Sequence, residues 1–361
     1  MKHKLFIVGL ILLSFGALLA KTQVKYAGFC FSGNCSDIPV NFPYTDMLAK
    51  VDGASQSRMD KLFYDHFSKS SEFGNFELAF GSGQGEKISL AMALNREDVA
   101  FEHFGSQTKV IYNMGCTLFI LDFAEMAIVQ SYPLTVTYID LLNHKPSAAE
   151  LSETMFMLYQ NKLLKKLEQC AANIFIRSTN SLSMKVANIK FNPEAVVYLT
   201  KYSDNLDAYA NLVAQNLTET LAFKMNLTVL PYCKDTLTQK MSLSFTDAST
   251  QSFSIPKSSY DVDFTVDRFA KQLFKETAAE RIDMYGAAGM FKIYDAEFGN
   301  VYWENEIKHG ESKQVSAGQT LENEFYNYNE VLLALLSEKL PTVLQEDKKL
   351  VKGVLKKCAN Y

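Results

Sequence analysis

Apolar residues alternate with small or polar ones through Ile88, Leu90, Met92 and Leu94, and again through Met241, Leu243 and Phe245. At Met59, Leu62, Phe63, His66 and Phe67 the spacing is instead three and four residues. A period of two lines one face of a strand, and a period near 3.6 lines one side of a helix. Read this way, the first half of the chain predicts a strand over 24–31, a helix from 59, and strands over 76–80, 88–94, 109–121 and 128–139. A closing helix follows Pro146, where Ser147 and Glu150 have capping-box spacing. Its stripe is Phe156, Tyr159, Leu163 and Leu167, with Leu151, Met155 and Leu158 beside it.

The second half repeats that order. A strand is predicted over 186–191, then a helix through Leu206, Tyr209, Val213, Leu217 and Leu221, then strands over 227–230 and 241–245. Phe264, Arg268, Phe269 and Leu273 predict a helix over 263–281, at a place where the first half reads as extended. A hairpin and a helix through Leu321, Phe325, Tyr328, Leu332 and Leu336 close the unit. Residues 341–361 form a helical extension expected to pack on the outside. The expected fold is α/β (α+β): two tandem related β-α-β-β-β-β-α domains, mixed sheets packed by helices. Their bounds are 21–175 and 185–340, with a linker at 176–184 where Asn, Ser and Thr cluster.

The clearest repeat is a hairpin. Cys116-Thr-Leu-Phe-Ile-Leu-Asp122 and Gly289-Met-Phe-Lys-Ile-Tyr-Asp295 each run an apolar strand into Asp, a short turn and a second apolar strand. Asp295-Ala-Glu-Phe-Gly299-Asn-Val301 suits a tight reversal, because glycine takes positive φ at little cost. Asp122-Phe-Ala-Glu-Met126 has Met at that place. The β-α-β opening and this hairpin resemble the TolB N-terminal domain and the curli-secretion lipoprotein family, over a motif of some seven residues. The resemblance implies hairpin turns at Asp122, Asp295 and Gly299, a periplasmic location at the outer membrane, protein partners and no catalysis.

Residues 1–20 read as a cleaved signal peptide: Lys2 and Lys4 precede an apolar run from Leu5 to Leu19. An uncleaved membrane anchor is the other reading of that run. Beyond residue 20 there remain 34 basic and 40 acidic residues, a balance that argues against nucleic acid. Attachment to a membrane is then expected to be peripheral at most. Export makes disulfides permissible. Cys30 and Cys35, separated by Phe-Ser-Gly-Asn, are the first candidate pair, and Cys233 with Cys358 the second.

Candidate chemistry is sparse. Gly81-Ser-Gly-Gln-Gly85 lacks the Lys-Ser/Thr and the following helix of a phosphate loop. Beyond the leader the histidines are 66, 103, 144 and 309, none at metal-ligand spacing, and no Gly-x-Ser-x-Gly elbow is present. Glu276, Glu280 and Asp283 are expected on a solvated helix face. Trp303 lies on a strand pattern and reads as core; Tyr302, Tyr326 and Tyr328 could form a binding surface. The sequons at Asn34, Asn216 and Asn226 read as chance. No catalytic, metal or cofactor residues are assigned. The expected function is a non-enzymatic exported envelope protein, structural or protein-binding, periplasmic or outer-membrane-associated and accessory to assembly or secretion. The alternative is a periplasmic small-molecule-binding protein or hydrolase with a cleft between the domains.

Overall fold

The computed structural model describes residues 21–50, 57–70, 73–80, 87–104, 107–176, 182–200, 205–233, 239–277, 281–315 and 321–359. Residues 1–20, Gly81 to Gly85 and Glu280 lie outside the described residues. The fold is α+β, with two mixed sheets and helices packed on them. β1 (Thr22–Ser32), β2 (Phe76–Ala79), β3 (Ile88–Phe104), β4 (Gln107–Asp122) and β5 (Ala127–Leu142) make the first sheet, in the order β2-β1-β3-β4-β5. β1 is parallel to β2 and β3, and β3-β4-β5 is an antiparallel meander. Helix α1 (Arg58–Lys69) joins β1 to β2, its first turn capped by Ser57, whose side chain accepts from Asp60 N. Helix α2 (Ala148–Leu158) follows β5 and begins with a complete capping box between Ser147 and Glu150.

The second half contributes β6 (Met184–Phe191), helix α3 (Leu206–Glu219), β7 (Val229–Leu230), a hairpin of β8 (Lys240–Phe245) and β9 (Thr250–Ser254), and then β10 (Tyr260–Glu276), β11 (Arg281–Asp295) and β12 (Val301–Val315). Helix α4 (Leu321–Ala334) follows. The second sheet has the order β7-β6-β10-β11-β12, with the same parallel and antiparallel senses as the first. One extra feature breaks the parallel: the β8-β9 hairpin belongs to the first sheet. β8 pairs antiparallel with the end of β1 through Cys30, Phe31 and Ser32, and β9 meets β5 at Ala127, closing a ring.

This crossing explains why β4 is buried almost throughout. Leu90, Met92, Leu118 and Ile120 face α1 and α2 in the main core. Their sequence neighbours Ala91, Ala93, Phe119 and Leu121 face the other way and meet Leu243, Phe245 and Phe253 of the hairpin. Further along that face α3 takes over. Thr135 N and Oγ1 both donate to Glu219, Ser131 Oγ donates to the Val229 carbonyl at 3.0 Å, and Lys166 pairs with Glu219. The layers run helix, sheet, helix, sheet. The outer face of the second sheet carries Ala270, Glu304, Lys308, Gly310 and Ser312, all exposed.

Where a helix is expected over 263–281, residues 263–276 form a strand. β10 buries Tyr260, Val262, Phe264 and Val266 at period two, then a bulge at Asp267 shifts the phase so that Phe269 rather than Arg268 points inward. That one-residue slip makes the Phe264, Arg268, Phe269 spacing imitate a helix. β3 has its bulge at Asn95, between Leu94 opposite Cys116 and Arg96 opposite Gly115. In β10 the corresponding pair is Val266 opposite Gly289, so both bulges fall in the same register relative to Asp122 and Asp295. The strand β9 and the outer ends of β3 and β10 were not foreseen. The C-terminal extension does not lie outside the core either. Leu344, Leu350, Val354 and Cys358 are buried, and Thr228 N donates to the Cys358 carbonyl at 2.8 Å.

Two substitutions test this packing. Phe253→Ala empties a fully buried site on the inner face of the hairpin and is expected to cost about 3–5 kcal/mol, read by denaturant unfolding. A Cβ on Gly289 would collide with the Phe264 ring and lie 2.8 Å from the Thr265 carbonyl oxygen. Gly289→Ala is therefore expected to cost about 1–3 kcal/mol, checked by the thermal midpoint.

Candidate functional site

The two longest antiparallel ribbons end on the same side of the molecule. Lys109, near the start of β4, places its ammonium 5.2 Å from the Tyr326 ring centroid, and Lys271 of β10 pairs with Glu324. Both partners lie near the start of α4, so the ends of β3-β4-β5 and β10-β11 flank one helix. Phe101, Ile139 and Leu141 are exposed at the first end; Leu273, Phe274 and Met284 are exposed at the second, Phe274 to 67%. Phe274 is the extra residue of a second bulge, between Leu273 opposite Asp283 and Lys275 opposite Ile282. The bulge takes its ring out of the ladder and turns it to solvent. These six exposed apolar side chains lie near the ends of the two ribbons, Phe101 on the opposite face of its ribbon from Ile139 and Leu141, and Leu273 on the opposite face from Met284.

The second ribbon is fixed at its base by charge. Asp283 is fully buried, with Lys271 Nζ at 3.1 Å and Arg281 Nε at 3.1 Å. Burial pushes the Asp283 carboxyl up, but hydrogen bonds from Arg281 and Lys271 outweigh this and hold it below the usual range. Lys271 loses hydration, yet Glu324 and Asp283 hold its ammonium above the usual lysine range. One lysine thus ties β10 to β11 and to α4. The expectation of a solvated acidic helix face is corrected here: Glu276 and Asp283 stand on strands, and Asp283 is paired and buried.

The other singled-out residues are dispersed. Cys30 and Cys35 are not bridged: β1 continues past Cys30 to Ser32 and turns the Cys30 thiol into the ring interior, 3.7 Å from the Met92 carbonyl oxygen. Cys35 is exposed, its sulfur 3.0 Å from Thr250 Oγ1. Cys233 and Cys358 form no disulfide. The hairpin turns share one geometry. Asp122 Oδ1 accepts from Ala124 N and Glu125 N, as Asp295 Oδ1 accepts from Glu297 N and Phe298 N. Met126 stands at φ +48° where Gly299 stands at φ +71°. The histidines are far apart, each beside its own partner: His66 with Glu168, His103 with Thr108, His144 with Glu150 and His309 with Glu311. Trp303 is buried on β12, Tyr302 is exposed, and Asn216 sits inside α3. Among the described residues no metal-ligating cluster occurs, and no helix is long and apolar enough to cross a membrane.

At the opposite end of the first sheet, the seam between the halves holds a cleft of about 400 Å³. β1, α1 and the turn after β4 contribute Tyr26, Asp60, Tyr64 and Phe123; the β8-β9 hairpin contributes Thr246, Asp247, Ser249 and Gln251. Asp60 Oδ1 accepts from Phe29 N at 2.8 Å, an approach that Gly28 at φ +116° leaves open. Its Oδ2 accepts from Ser57 Oγ and Thr246 Oγ1. Among the described residues the lining contains no histidine, so Ser57 has a carboxylate partner but no imidazole base among them. Neither the cleft nor the apolar end was marked by a motif. The signals that could have found them are Leu273-Phe274 breaking a period-two pattern, and Asp60 at the third position of a capped helix.

No family model matches the sequence, and no curated protein matches it. Solved structures with similar parts include a protein described as a neuraminyllactose-binding hemagglutinin homolog from Helicobacter pylori. It has 9% identity and a TM-score of 0.28, over 51% of this chain and 98% of that one. A minor lipoprotein from Acinetobacter baumannii matches at 10% identity and TM-score 0.23, over 47% of this chain and 94% of its own. A lipoprotein from Neisseria meningitidis matches at 10% identity and TM-score 0.19, over 45% and 99%. Likeness at this level carries no argument about fold or function.

The charge lock generates a pH prediction. Because the folded Asp283 carboxyl lies below its unfolded value of about 4, its stabilisation is present above that value and is lost as pH falls through the folded one. Asp283→Asn is expected to cost about 2–3 kcal/mol near neutral pH. The gap to the parent protein should narrow on acidification below pH ~4, followed by denaturant melts across the acid range.

Proposed function

We propose that the protein is a non-enzymatic exported component of the bacterial envelope, on the periplasmic side of the outer membrane, that docks protein partners as an accessory of assembly or secretion. The observation that carries this reading is the set of exposed apolar side chains at the ribbon ends, Phe101, Ile139, Leu141, Leu273, Phe274 and Met284, the second ribbon being braced by Lys271. Burying such side chains against a partner contributes roughly 1.5–3 kcal/mol each. The Lys271 brace limits the ordering cost of docking. The same proposal takes 21–175 and 185–340 as related folding units, supported by their shared strand order and bulge register. A second reading, a small-molecule binder, is favoured by the cleft at the seam between the halves.

Phe274→Asp should leave the thermal midpoint within about 1 °C, because the ring is exposed and unpaired in the ladder. Cross-linking in envelope extracts is expected to trap a partner with the parent chain and to lose it with this variant. Equal trapping by both would remove the apolar end from the interaction.

A further inference from the structure

We propose that the cleft between α1 and the β8-β9 turn binds a small organic cation carrying primary ammonium groups. The proposal rests on the small-molecule reading above and adds the ligand's chemistry. Among the described residues, two carboxylates, Asp60 and Asp247, line the cleft and no lysine, arginine or histidine does. A cleft lined by one sign of charge focuses its field and concentrates the opposite sign. Asp60 already accepts from Phe29 N, Ser57 Oγ and Thr246 Oγ1, so it is fixed in place before any ligand arrives. Asp247 is held differently: its Oδ1 accepts from Ser249 N at 2.9 Å on the exposed hairpin turn.

The other walls suit a cation as well. Phe123 and Tyr64 present aromatic surface, and an ammonium over an aromatic face is attracted by the ring quadrupole. Gln251 adds an amide oxygen. Tyr26, which also lines the cleft, buries its hydroxyl with no hydrogen-bond partner among the described residues. Burial and the nearby Asp60 carboxylate raise its phenol well above the usual range, so the group stays protonated. A buried hydroxyl without a partner is costly unless something completes it. The hydroxyl is sealed from the cleft in the ligand-free chain, so an ammonium N–H reaches the phenol oxygen, beside Asp60, only with a shift of the Tyr26 ring.

The test is calorimetric titration of the full chain with putrescine, 1,4-butanediol as its uncharged counterpart and succinate as an anion. Putrescine is expected to bind at least ~10-fold more tightly than butanediol, and more weakly as salt rises. Asp247→Asn, an exposed change, should weaken it by ~10-fold, near the worth of a charged hydrogen bond, with an unchanged thermal midpoint. Tyr26→Phe should raise the midpoint of the ligand-free protein while weakening putrescine. Equal binding of putrescine and butanediol, preference for succinate, or a putrescine affinity untouched by Asp247→Asn would overturn the ammonium assignment and leave a cleft of other specificity. No binding by any of the three probes would overturn the assignment and count against the small-molecule reading itself.

Discussion

The structure depends on how the second face of the first sheet is covered. A sheet with helices on one side only would leave Ala91, Ala93, Phe119, Leu121 and Ile128 in water. Residues from beyond position 200 cover them: the β8-β9 hairpin caps the end near Asp122, α3 covers the middle through Thr135, and β7 meets Ser131. α3 faces two sheets, which is why Leu212, Ala214 and Thr218 are buried on one side and Tyr209, Val213 and Leu217 on the other. A cut in the linker would therefore separate two sheets but not two complete surfaces. Whatever either half retains alone, it would expose an apolar face the other half normally covers.

Much of this was legible because period follows burial. Helix α1 buries one main stripe, Met59, Phe63 and Phe67, and strands such as β2 alternate, so their spacing announced them. β4 was readable for another reason: a strand buried on both faces reads as a continuous apolar run, as Leu118 to Leu121 does. The failures share a cause in bulges. Asp267 flips the parity of β10 halfway along, and no periodic template tolerates an inserted residue. The cysteine pairing failed for a related reason, since Cys30 is an inward-facing ladder residue and not part of the turn that begins at Gly33. Covering the first sheet with a hairpin inserted between β7 and β10 is a non-local event that no window of sequence reports. The cleft lies at that covering and was hidden with it.

The two candidate surfaces stand at opposite ends of the same strands. β4, 16 residues long, starts beside the apolar end at Gln107 and finishes beside the cleft at Asp122, a span of about 50 Å at the usual rise. Salt screens exposed charges beyond roughly 8–10 Å, so an ammonium arriving at Asp247 cannot act on the ribbon ends through its field. Any influence would have to pass mechanically along β3 and β4, which are hydrogen-bonded for their whole length and interrupted once, at the Asn95 bulge. That bulge borders a small polar cavity of about 50 Å³ shared with Gln215 of α3, where the Asn95 and Gln215 side-chain oxygens have no hydrogen-bond partner among the described residues. It is the least satisfied place along the path. Packed ladders carry strain through discrete rearrangements more readily than by continuous bending, so a rearrangement linking cleft to ribbon would centre there, at the joint between the first sheet and α3.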